Sequence, residues 1–172
     1  MSETRTAAIT LKGAPFDVTG LQLSVGDTAP DFSLLNSDLK EVSLSSFSDK
    51  VRIIATVPSL DTSVCQQETK RFNDEIGDKD GVEVLVVSVD LPLTQKNWCG
   101  AEGIENVTTL SCHHSTAFGV AYGVHVANGP LEGRLARAVF VVDASGVISH
   151  VEYVTEVADL PNFDAVLNTV TS

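Results

Sequence analysis

Val51-Arg-Ile-Ile-Ala-Thr-Val57-Pro58-Ser-Leu-Asp-Thr62-Ser-Val-Cys65 reads as a strand that stops and a helix that begins. The first seven residues are mostly β-branched and of strand length, and Pro58, lacking an N–H, cannot continue a central ladder. Asp61, Thr62 and Ser63 all suit an N-cap, so the helix starts at one of them, just before Cys65. From there Cys65, Thr69, Phe72 and Ile76 recur at i, i+4, i+7 and i+11, one stripe of a helix, with Gly77 as its C-terminal stop. Cys65 thus opens the inward face beside unpaired backbone N–H groups and the positive end of the helix dipole, which both favour a thiolate. A cysteine on a helix stripe is by itself a small buried hydrophobe. Pro58, Thr62 and the helix start turn the reading toward a reactive thiol.

The surrounding pattern extends this unit. The strand at 51–57, the helix at 62–76 and a strand at Val82–Val89 form a βαβ unit, which implies parallel neighbours and a right-handed crossover. Downstream, a helix is expected over Leu93–Ala101, a short strand over Val107–Leu110 and a short helix over Thr116–Tyr122. Ala136–Val142 and Val147–Val154 flank the turn Asp143-Ala-Ser-Gly146, and Leu160–Val170 is a closing amphipathic helix. Upstream, Ala7–Lys12 and Phe16–Thr19 flank Gly13-Ala-Pro15 as a hairpin, and turn-rich Val25–Phe32 leads to a short strand at Glu41–Leu44. No repeat, low-complexity tract or linker interrupts the chain. The expectation is one α/β domain over residues 1–172, with a central sheet of mixed direction and helices on both faces.

A chain of 172 residues with 43% hydrophobic content can build a real core. It contains no apolar run of about 18 residues, so no membrane span is expected. The first 20 residues carry Glu3, Arg5, Lys12 and Asp17 without an apolar core, unlike a secretory leader, which makes a cytoplasmic protein the expectation. The formal net charge of −12 argues against nucleic acid or an anionic membrane as partner. Three cysteines in a reducing compartment point to working thiols rather than a disulfide framework, and no Cys-x-x-Cys is present. Whatever pairs with Cys65 must come from elsewhere in the chain. Cys112-His113-His114, with Cys99, offers donor types that zinc or copper accept. Adjacent strand residues point opposite ways, however, and no paired ligand spacing accompanies them, so neither a metal nor a cofactor is expected.

A βαβ unit followed by a β-hairpin and a last helix is the thioredoxin order, and Pro58-x-x-x-Thr62-x-x-Cys65 resembles the peroxiredoxin signature. Ile9-Thr-Leu-Lys-Gly13, Val25-Gly-Asp-Thr-Ala-Pro-Asp-Phe32, Ser59-Leu-Asp-Thr-Ser-Val-Cys65, Phe72-Asn73, Cys99-Gly-Ala-Glu-Gly-Ile-Glu-Asn106 and Leu135-Ala-Arg-Ala-Val139 are similar to segments of the thiol peroxidase (Tpx-type, atypical two-cysteine) branch. The resemblance spans nearly the whole chain and implies a thioredoxin-like fold with an N-terminal β-hairpin. It implies an antioxidant peroxidase in which Cys65 attacks the hydroperoxide and Cys99 resolves it within one subunit, while Thr62, Pro58 and Arg137 shape the pocket. It also implies thioredoxin as reductant, a preference for alkyl hydroperoxides and a homodimer. Leu110-Ser-Cys112-His-His114 departs from the family pattern, which usually has no cysteine there.

The chemistry can be followed from the residues. An ordinary thiol is only a few per cent ionised at pH 7, and splitting an O–O bond also needs donors aimed at both oxygens. Arg137 begins the apolar strand Ala138–Val142. The following hairpin makes that strand antiparallel to the core strands, so its start shares a sheet edge with Pro58 and Cys65. A guanidinium there is a fixed, permanently charged fork, and the apolar strand secures the core without it. Cys99 is read near the start of the second helix, beside Trp98. A Cys65 sulfenic acid condensing with it requires one or both segments to unfold locally. A non-enzymatic redox sensor or binding module using the same disulfide as a switch is the alternative; sustained turnover with thioredoxin separates the two.

Overall fold

Arg52–Val57 is sealed from solvent along its whole length because this strand lies at the middle of the sheet. The computed structural model describes residues 3–171. In chain order its strands are Thr4–Leu11 (β1), Ala14–Thr19 (β2), Leu34–Leu35 (β3), Glu41–Val42 (β4), Val51–Thr56 (β5), Val82–Ser88 (β6), Thr108–Ser111 (β7), His125–Val126 (β8), Ala138–Val142 (β9) and Ile148–Tyr153 (β10). The helices are Ser63–Glu75 (α1), Pro92–Glu102 (α2), Ala117–Ala121 (α3) and Phe163–Thr171 (α4), with a 3₁₀ turn at Leu44–Phe47. Among the described residues, one mixed sheet runs β10-β9-β5-β6-β7-β3-β4, and β1-β2-β8 forms a second, smaller one. β5, β6 and β7 are parallel, and β9 lies antiparallel to β5 on the other side.

Strand alternation divides the core in two. Ile53, Ala55, Val57, Val84, Val86, Val139 and Val141 face the layer of α1 and α4, meeting Phe72, Ile76, Phe163 and Val166. Ile54, Leu85, Val87, Leu110, Ala138 and Phe140 face the other way, onto Phe118 of α3, Tyr122 just after it, and Ile9, Val18 and Val126 of the small sheet. The helices thus lie on both faces, but unequally. On the second face the N-terminal hairpin supplies much of the cover.

Several boundaries differ from expectation for local reasons. The hairpin turns at Lys12-Gly13, both with positive φ, so Ala14 and Pro15 belong to the strand. Only Glu41 and Val42 pair in β4; Ser43 and Ser46 then exchange hydrogen bonds and start the 3₁₀ turn at Leu44. α4 begins at Phe163, after Pro161, where Asn162 Oδ1 accepts the Ala165 N–H at 3.1 Å. Gly77 follows α1 as expected, but the reason is a close approach. A Cβ there would lie 2.3 Å from the carbonyl oxygen of Asn106.

Candidate active site

Register puts the site at one sheet edge. Thr56 of β5 pairs with Ala138 of β9, so the end of the parallel strand lies beside the start of the antiparallel one. Thr56 Oγ1 fastens this edge by donating to the Ala136 carbonyl at 2.7 Å. Arg137 has the same parity as Val139 and Val141 and therefore points toward α1. Pro58 is buried at the strand end, and Thr62 takes the N-cap position with extended backbone. The Thr62 hydroxyl does not cap the helix; it donates to the Ser59 carbonyl at 2.9 Å.

Cys65 is the third residue of α1, where backbone N–H groups have no intrahelical partner. The expected inward stripe is observed: Cys65, Thr69, Phe72 and Ile76 are each 0% exposed. Arg137, 1% exposed, directs Nη2 to Cys65 Sγ at 3.4 Å, donates Nε–H to the Val157 carbonyl at 3.1 Å and pairs through Nη1 with Glu68 Oε2. A guanidinium gripped by three acceptors holds a fixed direction toward the sulfur. Its burial also shows a second function that the apolar strand had left out of account. Arg137 is part of the core, because removing it strands the Glu68 carboxyl.

Glu68 is the residue that the sequence reading passed over. It lies three positions after Cys65, on the same helix face, and is 0% exposed. Burial pushes its carboxyl up to about 7, against the pull of the Arg137 charge and hydrogen bond. Its Oε1 has no hydrogen-bond partner among the described residues. An acid one turn along from Cys65 on an inward stripe, facing an arginine at a strand start, was the available signal.

Cys99 lies elsewhere. It stands in the last turn of α2, not near its start, and its carbonyl accepts the Ile104 N–H at 2.9 Å. The half-buried thiol is pushed up by burial, opposed by a hydrogen bond with Thr109. Thr109 pairs with Val86 and so faces the α1 layer. Both thiols therefore share one side of the sheet. β7 lies two strands from β5, and both thiols are free, Cys65 sealed in the core and Cys99 half-buried. Cys99 opens instead on a cleft lined by Asn36, Asp38, Lys96 and Thr108. Cys112 belongs to the opposite core; burial pushes its thiol up to about 12, and its Sγ contacts the Ser88 carbonyl at 3.5 Å. Cys112 and Cys99 thus sit in different layers, and the exposed His113 and His114 rings lie 5.7 Å apart at the surface. Among the described residues no cluster of three histidine, cysteine or acidic side chains has the arrangement of a metal site.

The chain is similar to known proteins over nearly its whole length. The Redoxin family profile matches residues 24–167. The thiol peroxidase of Halalkalibacterium halodurans is 48% identical over 158 residues, covering 92% of this chain and 93% of its own. A peroxiredoxin-like protein from Aquifex aeolicus superposes with a TM-score of 0.90 at 43% identity, covering 96% and 97% of the two chains. The thiol peroxidase from Chromobacterium violaceum gives 0.85 at 26% identity, covering 95% and 94%. With this coverage added to the helix-start cysteine and its buried arginine, the chain belongs to the Redoxin family, in the thiol peroxidase branch of the peroxiredoxins.

Proposed function

We propose that this thiol-dependent peroxidase reduces hydroperoxides at Cys65 and passes through a Cys65–Cys99 disulfide within one subunit. The observation that carries the reading is the Arg137 Nη2 to Cys65 Sγ contact of 3.4 Å, buried at the start of α1. A cation and free helix N–H groups both lower the energy of a thiolate relative to its thiol. The thiolate attacks one peroxide oxygen, the O–O bond breaks, and the departing alkoxide or hydroxide takes up a proton, leaving a Cys65 sulfenic acid. Arg137 is suited to both the sulfur and the developing negative oxygen. A donor of this kind lowers the barrier by about 3 kcal/mol. The Thr62 hydroxyl, its proton engaged by Ser59, offers lone pairs to the peroxide, and buried Pro58 keeps water from that side.

Resolution then needs movement. The Cys99 thiol condenses with the sulfenic acid, forming the S–S bond and releasing water, once the first turn of α1 and the last turn of α2 loosen. A thioredoxin-type dithiol attacks the exposed disulfide, leaves as its own disulfide and restores both thiols. No helix among the described residues is long and apolar enough to cross a membrane. A homodimer and a cytoplasmic location are part of the same proposal; sedimentation velocity tests the first.

The deciding assay is peroxide consumption with thioredoxin and its reductase, comparing hydrogen peroxide with a bulky alkyl hydroperoxide. Sustained turnover supports the reading; a single stoichiometric oxidation points to a sensor.

A further inference from the structure

Asp90 sits between β6 and α2, just before Leu91, the N-cap of α2. Its carboxylate reaches across to the turn preceding Cys65. Oδ1 accepts the Ser59 hydroxyl at 3.0 Å, and Oδ2 accepts the Leu60 N–H at 2.8 Å and the Ser88 hydroxyl at 2.7 Å. The Asp90 carbonyl in turn accepts the Ser111 hydroxyl at 2.5 Å, which ties the junction to β7. Leu60 is 1% exposed and packs in the same apolar cluster as Cys65.

The network continues into α2. Ser88, having given its proton to Asp90, accepts Gln95 Nε2 at 2.9 Å; Gln95 also donates to the Leu110 carbonyl at 3.0 Å. Gln95 is 0% exposed and lies one helical turn before Cys99. Leu60, Asp90, Ser88 and Gln95 thus form one continuous chain of hydrogen bonds from the Cys65 turn to the Cys99 helix.

We propose that Asp90 is a positioning residue that latches the Cys65 turn to α2, so that the two cysteine-bearing segments loosen together. This rests on the Cys65–Cys99 chemistry proposed above. In the reduced protein the latch keeps Leu60 seated and Cys65 against Arg137 for attack on peroxide. A sulfenic oxygen adds volume to a sulfur that is 0% exposed and shares its apolar cluster with Leu60, so the cluster must give way. Displacing Leu60 and its turn removes two of the three hydrogen bonds that hold the Asp90 carboxylate in place, so Ser88 and then Gln95 lose their fixed partner position, and α2 frays at Cys99. Two segments that opened independently would multiply their small open fractions; a shared carboxylate makes the second opening easier once the first has occurred.

The test compares wild type with Asp90→Ala, Asp90→Asn and Ser59→Ala. Amide hydrogen exchange of the reduced proteins reads the two segments separately. Rapid mixing with stoichiometric hydroperoxide, with acid quench and mass analysis, separates sulfenic acid formation from disulfide closure. Trp98, the single tryptophan, reports on α2. Asp90→Ala should exchange about tenfold faster at both Leu60–Gln66 and Gln95–Cys99, react with peroxide about tenfold more slowly and close the disulfide about tenfold faster. Asp90→Asn should stay within about threefold of wild type, because its amide oxygen can accept from Leu60 and Ser88 while its NH₂ donates to Ser59. Ser59→Ala removes one of the three hydrogen bonds on the Asp90 carboxylate, together with the acceptor of the Asp61 N–H, and should shift in the same direction by less, which keeps the proposal open to test if the Asp90→Ala variant folds poorly. Faster exchange confined to Leu60–Gln66, with α2 exchange and the closure rate at wild-type values, overturns the latch. So does a lowered melting temperature with every rate unchanged. If wild type forms no Cys65–Cys99 disulfide, the functional reading fails, while exchange in the reduced proteins still decides the latch.

Discussion

Glu68 and Cys65 share one cation: Nη1 of Arg137 meets the Glu68 carboxyl, and Nη2 stands 3.4 Å from Cys65 Sγ, all within the core. One guanidinium thus serves two buried side chains, and both depend on it for a partner. The first two predictions follow from this arrangement.

Arg137→Met should slow the reaction with peroxide by at least about 100-fold in rapid mixing, because it removes the charge and the fork together. Arg137→Lys keeps the charge without the fixed planar geometry and should fall between. The Met variant should also unfold more easily, by about 3–5 kcal/mol at pH 8, because it leaves the Glu68 carboxyl without its partner. At pH 5, where that carboxyl is protonated, the loss should shrink.

Glu68 sets a pH dependence of stability. Burial pushes the folded carboxyl up to about 7, from an ordinary value of 4.5 that the unfolded chain keeps. Between those values the folded state holds a proton that the unfolded state has released. Stability should therefore fall as pH rises from about 4.5 to about 7, then level off. Against the matching Glu68→Gln variant the fall should be up to about 3 kcal/mol in denaturant titrations. A flat difference would mean that the carboxylate stays ionised throughout.

Cys99→Ser should consume about one equivalent of peroxide and then stop with thioredoxin, advancing to sulfinic acid more readily than wild type. Single-turnover stoichiometry and intact-mass measurement check this. Wild-type turnover by the variant would remove Cys99 from the cycle.

Cys112→Ala should leave turnover within about twofold, since a buried thiol pushed up to about 12 is neutral at pH 7. Its cost should appear in stability, on the order of 1 kcal/mol for a small core truncation. A tenfold loss of turnover would assign Cys112 a part in the chemistry.

How far the sequence could be read follows from range. The strand–Pro58–helix passage and the stripe from Cys65 to Ile76 are local patterns, and they appear in the structure with only boundary shifts. The proximity of Arg137 to Cys65 could be argued because strand direction fixes which ends share a sheet edge. Glu68 was missed because a charged residue within a helix ordinarily faces water, and only a partner 69 positions away makes its burial tolerable. Asp90 was missed for the same kind of reason: its hydrogen bonds to Ser59 and Leu60 span 31 and 30 positions and leave no periodic trace. The expected bounds Leu93–Ala101 already implied a last-turn Cys99, against the reading that put it near the helix start. The structure extends that helix by one residue at each end, with Pro92 at the first helical position.

The central claim is that Cys65 is the thiol that meets the peroxide. The most direct measurement is reaction of Cys99→Ser with one equivalent of hydroperoxide in the presence of a sulfenic-acid-specific carbon nucleophile, followed by peptide mass spectrometry. The account predicts one adduct per chain, on Cys65, with Cys112 unmodified and no adduct in the Cys65→Ser/Cys99→Ser double variant. An adduct on Cys112, or peroxide consumption undiminished in the double variant, would contradict it.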